Sequence, residues 1–214
     1  GLSKRARTLV FSSDQFSKSD FSTYEDLAKP RWKGRLCLRT SKKVYNRSLI
    51  ASMIDAYGFD NSKKIVTGWV SNLATEVFSN DTNALKAVSS GQCGVTIVNT
   101  YYLARLLDDP KYDNLELVWA NQNDRGVHVN ISGAGIVKTS QNKEEAQKLL
   151  EYLSSDSAQD FYASANKEYP VLKDANVAES IMVWGAFIED EINVSKLGSL
   201  QKEAVFLAQE AGYK

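Results

Sequence analysis

Short apolar runs alternate with helix-type segments along most of the chain, and this alternation restricts the possible folds more than any single motif does. Runs typical of buried strands cover residues 5–12, 35–39, 94–98, 115–119 and 131–138. Patterns typical of helices cover residues 22–27, 48–56, 63–73, 101–107, 142–153, 156–165 and 195–209. Strands that alternate with helices predict an α/β protein with largely parallel sheets.

Several helix boundaries carry local signals. Ser22 is followed three residues later by Glu25, which is the pattern of a capping box, and Pro30 ends the short helix that follows. Asn80 caps a further helix, which stops at Gly91.

Length and charge exclude some classes of protein. The chain has 214 residues, so we expect one large domain or two small ones. Lys plus Arg and Asp plus Glu number 26 each, and this balance argues against a nucleic-acid partner, which would need a basic excess. No apolar run approaches the roughly 20 residues of a membrane-spanning helix, so we expect a soluble chain.

Motifs for catalysis are nearly absent. His128 is the one histidine, so the chain contains no two-histidine metal motif. No phosphate-binding loop or nucleophile elbow occurs, and Gly133 and Gly135 lie in a predicted strand, where we interpret them as positions of close backbone packing. We therefore expect no enzymatic activity.

The two cysteines, Cys37 and Cys93, each lie in a short strand-like run. Their spacing matches no zinc or thioredoxin motif. An even number of cysteines would be compatible with a disulfide if the protein is exported, and two free buried thiols in neighbouring strands are an equal alternative.

Three tyrosines occupy turns between a strand and a helix. Tyr101 and Tyr102 are adjacent, follow an apolar strand and open a helix, while Tyr45 lies in a second such turn. Neighbours on a helix point about 100° apart, so two phenol side chains can still converge beyond the helix end. Adjacent tyrosines often only pack against a surface. Both turns can lie along the same sheet edge, and a third tyrosine there strengthens the case for metal binding.

Three phenolates would neutralise a ferric ion, which as a hard cation favours anionic oxygen ligands. A phenol with a pKa of about 10 is mostly neutral in water, but a bound cation stabilises the anion and can deprotonate it.

Eight segments, in the same order, resemble the bacterial periplasmic ferric-iron-binding proteins, most closely their cyanobacterial-type branch. They are GLSKRAR (1–7), STYEDLA (22–28), WKGR (32–35), YNRSL (45–49), NDT (80–82), NTYY (99–102), HVNISG (128–133) and EYPVL (168–172). Each segment is weakly specific, whereas the ordered set covers the chain almost end to end.

The resemblance implies a type II periplasmic-binding-protein fold, in which two α/β lobes joined by hinge strands close on the ion. Residues 1–7 then form the end of the N-lobe and the hinge, and residues 8–131 form the C-lobe with the tyrosines. Residues 132–182 return to the N-lobe, and residues 183–214 form C-terminal helices that pack back on the C-lobe. The first part of the family pattern has no counterpart, so we expect the front of the first lobe to be missing from this chain.

Carried over residue by residue, the resemblance makes Tyr101 and Tyr102 the paired iron ligands and Tyr45 a third ligand found in one branch. In the branch that uses a synergistic anion, that turn instead holds small residues that cradle phosphate. Tyr45 therefore suggests that a protein oxygen replaces the exogenous anion.

Arg105, one helical turn past the tyrosine pair, resembles an arginine that offsets the phenolate charge, and a surface salt bridge is its alternative role. Asn99 and Arg47, which lie near the tyrosines in sequence, are assigned to the same surroundings. A further ligand would come from the missing N-terminal segment. His128 is an alternative ligand, although it lies where the family's chain crosses between the lobes.

The function implied is that of a monomeric periplasmic solute-binding protein that captures Fe(III) and delivers it to an ABC transporter permease at the inner membrane. The first alternative is a periplasmic receptor for an organic or anionic solute such as a polyamine, with the tyrosines as aromatic walls. The second is an enzyme on a similar two-lobed scaffold.

Overall fold

A computed structural model describes residues 1–214 of the chain. Its strands are β1 (Ser3–Ser12), β2 (Leu36–Cys37), β3 (Val95–Asn99), β4 (Leu115–Val118), β5 (Val129–Ser132) and β6 (Tyr169–Pro170). Its α-helices are α1 (Val44–Tyr57), α2 (Phe59–Ser71), α3 (Asp81–Ser89), α4 (Thr100–Leu106), α5 (Lys143–Leu153), α6 (Asp156–Asn166), α7 (Glu179–Met182), α8 (Val194–Ser199) and α9 (Gln201–Glu210). None of these helices combines the length and the apolar character that a membrane crossing requires.

The long strand β1 lies at the centre of the sheet and runs antiparallel to four partners. Its first residues pair with β5 and β6, and its second half pairs with β3 on one side and β4 on the other. Only β2 and β3 are parallel. The expectation of largely parallel sheets is therefore wrong. The helical connection from β2 to β3 produces the one parallel pair, whereas β1 runs against every strand that it joins.

The core follows the alternation of side chains along β1. Leu9 and Phe11 face a large apolar cluster that contains residues of α1, α2 and α9. Val10 points to the opposite face and packs in a smaller cluster with residues of α3 and α4. Full burial of each large apolar side chain stabilises the folded protein by about 1.5–3 kcal/mol relative to leaving that side chain in water. The division of the chain into lobes stays a prediction.

Most predicted elements form within a few residues of their expected limits, and α3 begins with the predicted cap, in which the Asn80 side chain accepts a hydrogen bond from the Asn83 backbone N–H. The segment with the capping-box pattern forms only the short 3₁₀ turn Glu25–Ala28, not an α-helix. Pro30 opens another 3₁₀ turn, since the first helical position does not need the N–H that proline lacks.

Three further expectations for the second half of the chain are corrected. The predicted strand 131–138 ends at Ser132, because glycines beyond that residue weaken a strand. A Cβ at Gly133 or Gly135 would meet no atom within 4 Å, so these glycines do not mark close backbone packing. The predicted helix 195–209 is divided at Leu200 into α8 and α9.

Cys37 of β2 and Cys93, just before β3, form a disulfide with their Cα atoms 5.9 Å apart. Of the two alternatives open from the sequence, the bonded one is correct. The bond closes a loop of sequence separation 56 that contains α1, α2 and α3. A cross-link over so long a loop reduces the conformational entropy of the unfolded chain and thereby favours the folded state.

We predict that replacing both cysteines, Cys37→Ala with Cys93→Ala, lowers the free energy of unfolding by about 2–4 kcal/mol, because the unfolded chain regains the loop entropy. Urea denaturation followed by circular dichroism measures the change. A reducing agent should lower the stability of the unaltered protein and leave the double variant unchanged. Equal stability of the two proteins would contradict the prediction.

His128 lies immediately before β5 and is completely buried. Its Nε2 atom is 2.7 Å from the Ser48 hydroxyl on α1, and its backbone N–H donates to the Tyr24 hydroxyl. Burial, together with the positive charges of Arg125 and Arg7, lowers the pKa of His128 to about 3. The folded protein therefore holds a neutral imidazole.

We predict that the free energy of unfolding falls as the pH drops from about 6.5 toward 3. In that window the unfolded chain binds a proton at the imidazole, whose ordinary pKa is about 6.5, and the folded chain does not. The stability associated with the neutral His128 is thus fully present above about pH 6.5, and it is lost progressively as the pH falls toward 3. Denaturation at several pH values measures the slope, which His128→Gln should reduce. Proton NMR of this single imidazole should show no titration between pH 7 and 5, and a normal titration there would refute the assignment.

Candidate metal centre

The structure brings the three predicted tyrosines together. Tyr45 lies in the first turn of α1, and Tyr101 and Tyr102 lie in the first turn of α4. The hydroxyl oxygens of Tyr45 and Tyr101 are 3.5 Å apart, and the ring centres of Tyr101 and Tyr102 are 4.3 Å apart. Three phenol groups therefore occupy one small region.

The sheet explains this convergence. β2 and β3 are parallel neighbours, so their carboxyl ends lie at the same edge of the sheet. The chain passes from β2 through a short turn into α1 and from β3 directly into α4. Two helix starts, each with tyrosine in its first turn, therefore lie side by side, at the kind of sheet edge where α/β proteins bind ligands.

The phenols differ in their exposure. Tyr101 is buried, with 7% of its surface exposed, whereas Tyr45 and Tyr102 are half-buried. Burial raises the pKa of Tyr101 above its usual range, and the neighbouring phenols of Tyr102 and Tyr45 raise it further. Without a bound cation this phenol is therefore neutral.

Three guanidinium groups lie against the phenol rings. Arg39 and Arg5 are 5.2 and 5.7 Å from the centre of the Tyr45 ring, and Arg105 is 5.0 Å from the centre of the Tyr101 ring. Cations at such distances over an aromatic face are attracted to it, and they would stabilise a phenolate more strongly still. Arg105 thus lies beside the tyrosine pair, and its role in offsetting phenolate charge stays a prediction.

Burial lowers the pKa of Arg39, but the Asp81 carboxylate, followed by Tyr102 and Tyr45, raises it by more, so its net pKa lies above the usual range. Arg39 is 7% exposed, and its Nη1 atom lies 3.4 Å from Asp81. A fixed positive charge therefore stands beside the phenol groups.

The two remaining predicted residues differ in position. Asn99 is buried at the end of β3, directly before α4, and its Nδ2 group has no hydrogen-bond partner. Arg47 follows the tyrosine of α1 by two residues, but its Nε donates to the Ser41 carbonyl at 3.3 Å, away from the phenol groups. Whether either residue acts on a bound ion stays a prediction.

Other metal-binding side chains are not arranged as a site. No group of three or more His, Cys, Asp or Glu side chains is placed to hold a metal ion. Both cysteines are used in the disulfide, and His128 is buried against Ser48. Within this chain, phenol oxygens are therefore the only clustered donors suited to a cation.

The sequence interpretation missed Arg5 and Arg39 as neighbours of Tyr45. Arg39 lay in a run predicted to be a buried strand, and a charged residue in such a run is itself a signal, because a buried charge requires a partner. Arg5 lay at the first position of another such run, residues 5–12, and carried the same kind of signal. It is half-buried at the start of β1, where it donates to Ser132.

Comparison with known proteins places these features in a family. The family model described as "Bacterial extracellular solute-binding protein" matches residues 8–187. The chain is 42% identical over its whole length to Iron uptake protein A1 of Synechocystis sp., and it spans 61% of the length of that relative.

Solved structures agree with this assignment. A Trichodesmium protein determined in complex with iron and citrate ligands superposes with a TM-score of 0.96 at 42% identity, and the ferric binding protein from Campylobacter jejuni superposes with a TM-score of 0.93 at 32% identity. All of this chain and 70% of each of those chains are covered. The expected type II periplasmic-binding-protein fold is thus confirmed. The family model matches most of the chain, and Iron uptake protein A1 aligns with all of it. The chain therefore belongs to the bacterial extracellular solute-binding proteins.

Proposed function

We propose that this protein is a receptor that captures Fe(III) with the phenol oxygens of Tyr45, Tyr101 and Tyr102. The convergence of these groups, with two hydroxyl oxygens 3.5 Å apart, is the observation that carries the proposal. Two similar proteins support it, since one was solved with iron and another is named a ferric binding protein.

The chemistry of the donors selects the cation. Zinc, copper and nickel favour nitrogen and sulfur ligands, and the chain offers no free thiol and no accessible imidazole. A hard trivalent cation instead favours anionic oxygen, which three phenolates supply. Their three negative charges balance the charge of Fe(III), and the guanidinium groups of Arg39 and Arg105 limit the repulsion between phenolates.

Capture then serves transport rather than catalysis. A Serratia marcescens relative is named an Fe(3+)-binding periplasmic protein, and we place the capture in the periplasm on that ground. We propose further that the protein works as a monomer and delivers Fe(III) to the permease of an ABC importer. The second lobe closes over the ion by a hinge motion and supplies a further ligand. Arg105 lies against the Tyr101 ring, and Asn99, directly before α4, offers an amide donor without a partner. We include Arg47 in the surroundings of the ion on the resemblance alone.

We predict that Tyr102→Phe weakens Fe(III) binding by at least about 100-fold, since loss of even an outer partner of a metal ligand costs 10- to 100-fold. Iron–phenolate coordination should give a visible charge-transfer band in the unaltered protein, and this band should weaken in the variant. Competition with a chelator of known affinity, followed at the band, measures both effects.

Tyr152→Phe is a matched control, because Tyr152 lies exposed on α5, away from the cluster. It should keep both the colour and the affinity. A colourless iron complex of the unaltered protein, or unchanged affinity in Tyr102→Phe, would overturn the proposal. Binding of an organic solute such as a polyamine without iron would favour the alternative receptor.

We also predict that iron binding releases protons and strengthens as the pH rises. The folded protein raises the pKa of Tyr101, so this phenol carries its proton until the cation displaces it. A pH indicator in weakly buffered solution measures the release, and chelator competition between pH 6 and 8 measures the affinity. Affinity that is independent of pH would show that neutral groups bind the ion.

A further inference from the structure

A buried ion pair lies behind the tyrosines. The Arg7 Nη1 atom is 2.9 Å from the Asp81 Oδ2 atom, and both side chains are completely buried. Removing two charges from water is costly, and an apolar pair of the same volume is often as stable or more so. A contribution to stability therefore does not explain why this ion pair is present. The side chains that Arg7 and Asp81 contact point to its role.

One set of contacts leads to Tyr45. The Nε and Nη2 atoms of Arg7 donate to the Asn46 side-chain oxygen, at 2.9 and 2.6 Å. Asn46 follows Tyr45 in the first turn of α1, and its amide donates in turn to the Arg39 carbonyl at 2.8 Å. The residue before α1, Lys43, provides no side-chain cap. Arg7 thus supplies, through Asn46, a fixed attachment for this helix start.

A second set of contacts leads to the tyrosine pair. Asp81 accepts a hydrogen bond from the backbone N–H of Asn99 at 3.0 Å, and Arg7 donates to the Asn99 side-chain oxygen at 3.2 Å. Asn99 is the residue before α4, and its side chain makes no capping bond to that helix. The start of α4, which carries Tyr101 and Tyr102, is therefore attached to the same ion pair.

The pair also reaches the cation beside the phenols. Asp81 lies 3.4 Å from Arg39, whose guanidinium group faces the Tyr45 ring. Arg7 itself lies on β1 where strand pairing passes from β5 to β3, and its backbone N–H donates to the His128 carbonyl. Both helix starts and Arg39 are thereby fixed to the central strand.

We propose that Arg7 and Asp81 are positioning residues for the phenol site, which hold the starts of α1 and α4 at the separation that lets the phenols converge on one cation. The inference rests on the proposed capture of Fe(III). Neither residue contacts the cation, and both act through Asn46, Asn99 and Arg39.

The test replaces Asp81 by asparagine, which keeps the shape of the side chain and removes its charge. We expect Asp81→Asn to bind Fe(III) about 10- to 100-fold more weakly and to shift the charge-transfer maximum, because the phenols no longer share one geometry. The matched control is Asp190→Asn, which breaks the largely buried pair between Arg125 and Asp190, 2.5 Å apart. Arg125 contacts the rings of Tyr24 and Tyr57, which are not part of the phenol site. The control should melt at a lower temperature but keep the affinity and the spectrum.

A second variant, Arg7→Lys, covers the case in which Asp81→Asn does not fold. Lysine retains the charge opposite Asp81 but has no planar fork to contact Asn46 and Asn99 together. We expect a folded protein with weakened iron binding and a shifted band. If Arg7→Lys and any folded Asp81→Asn match the control in affinity and spectrum, the pair is only structural and the inference fails. If the unaltered protein binds no iron, the proposed function fails instead.

Discussion

The strand β1 is the constraint on which the rest of the structure depends. It pairs with four of the other strands, and the remaining strand, β2, joins the sheet only through β3. Its alternating side chains divide the apolar residues between two faces, so the helices on both faces pack against a single strand. The position of β3 next to β1, and of β2 next to β3, in turn determines where α1 and α4 begin. The phenol cluster is a consequence of this order.

The net charge of the chain is zero, but positive charge is concentrated at the phenol cluster. The chain is neutral overall, yet the phenol cluster has three guanidinium groups against its rings, and only Arg39 among them is paired with a carboxylate, Asp81. A neutral total therefore conceals a local excess of positive charge. Such an excess suits a site whose ligands become anions, because it stabilises the phenolate form without coordinating the metal. The carboxylate of Asp81 is completely buried and contacts two arginines, Arg7 and Arg39.

Local signals in the sequence predicted local structure well. The Asn80 cap and the apolar run before Asn99 appear in the structure, and the helix predicted for residues 101–107 begins one residue earlier, at Thr100. Each of these features depends on residues within one turn. The direction of the strands was predicted wrongly, since alternation of strands and helices describes connections and says nothing of a strand that runs against its neighbours. The glycines after β5 were misinterpreted for a similar reason. A glycine in an apolar run fits close packing as well as it fits the end of a strand.

The sequence by itself determined the chemistry available to the protein: tyrosines in two turns, a single histidine, two cysteines and balanced charge. It also indicated that both turns follow strands, from which a shared sheet edge was expected. Only the tertiary structure decided that Cys37 pairs with Cys93, that Arg5 and Arg39 face Tyr45, and that Arg7 and Asp81 connect the two helix starts. These contacts join residues far apart in the chain. Their formation depends on the summed packing of the whole sheet and its helices, whereas the patterns visible in sequence reflect interactions between near neighbours.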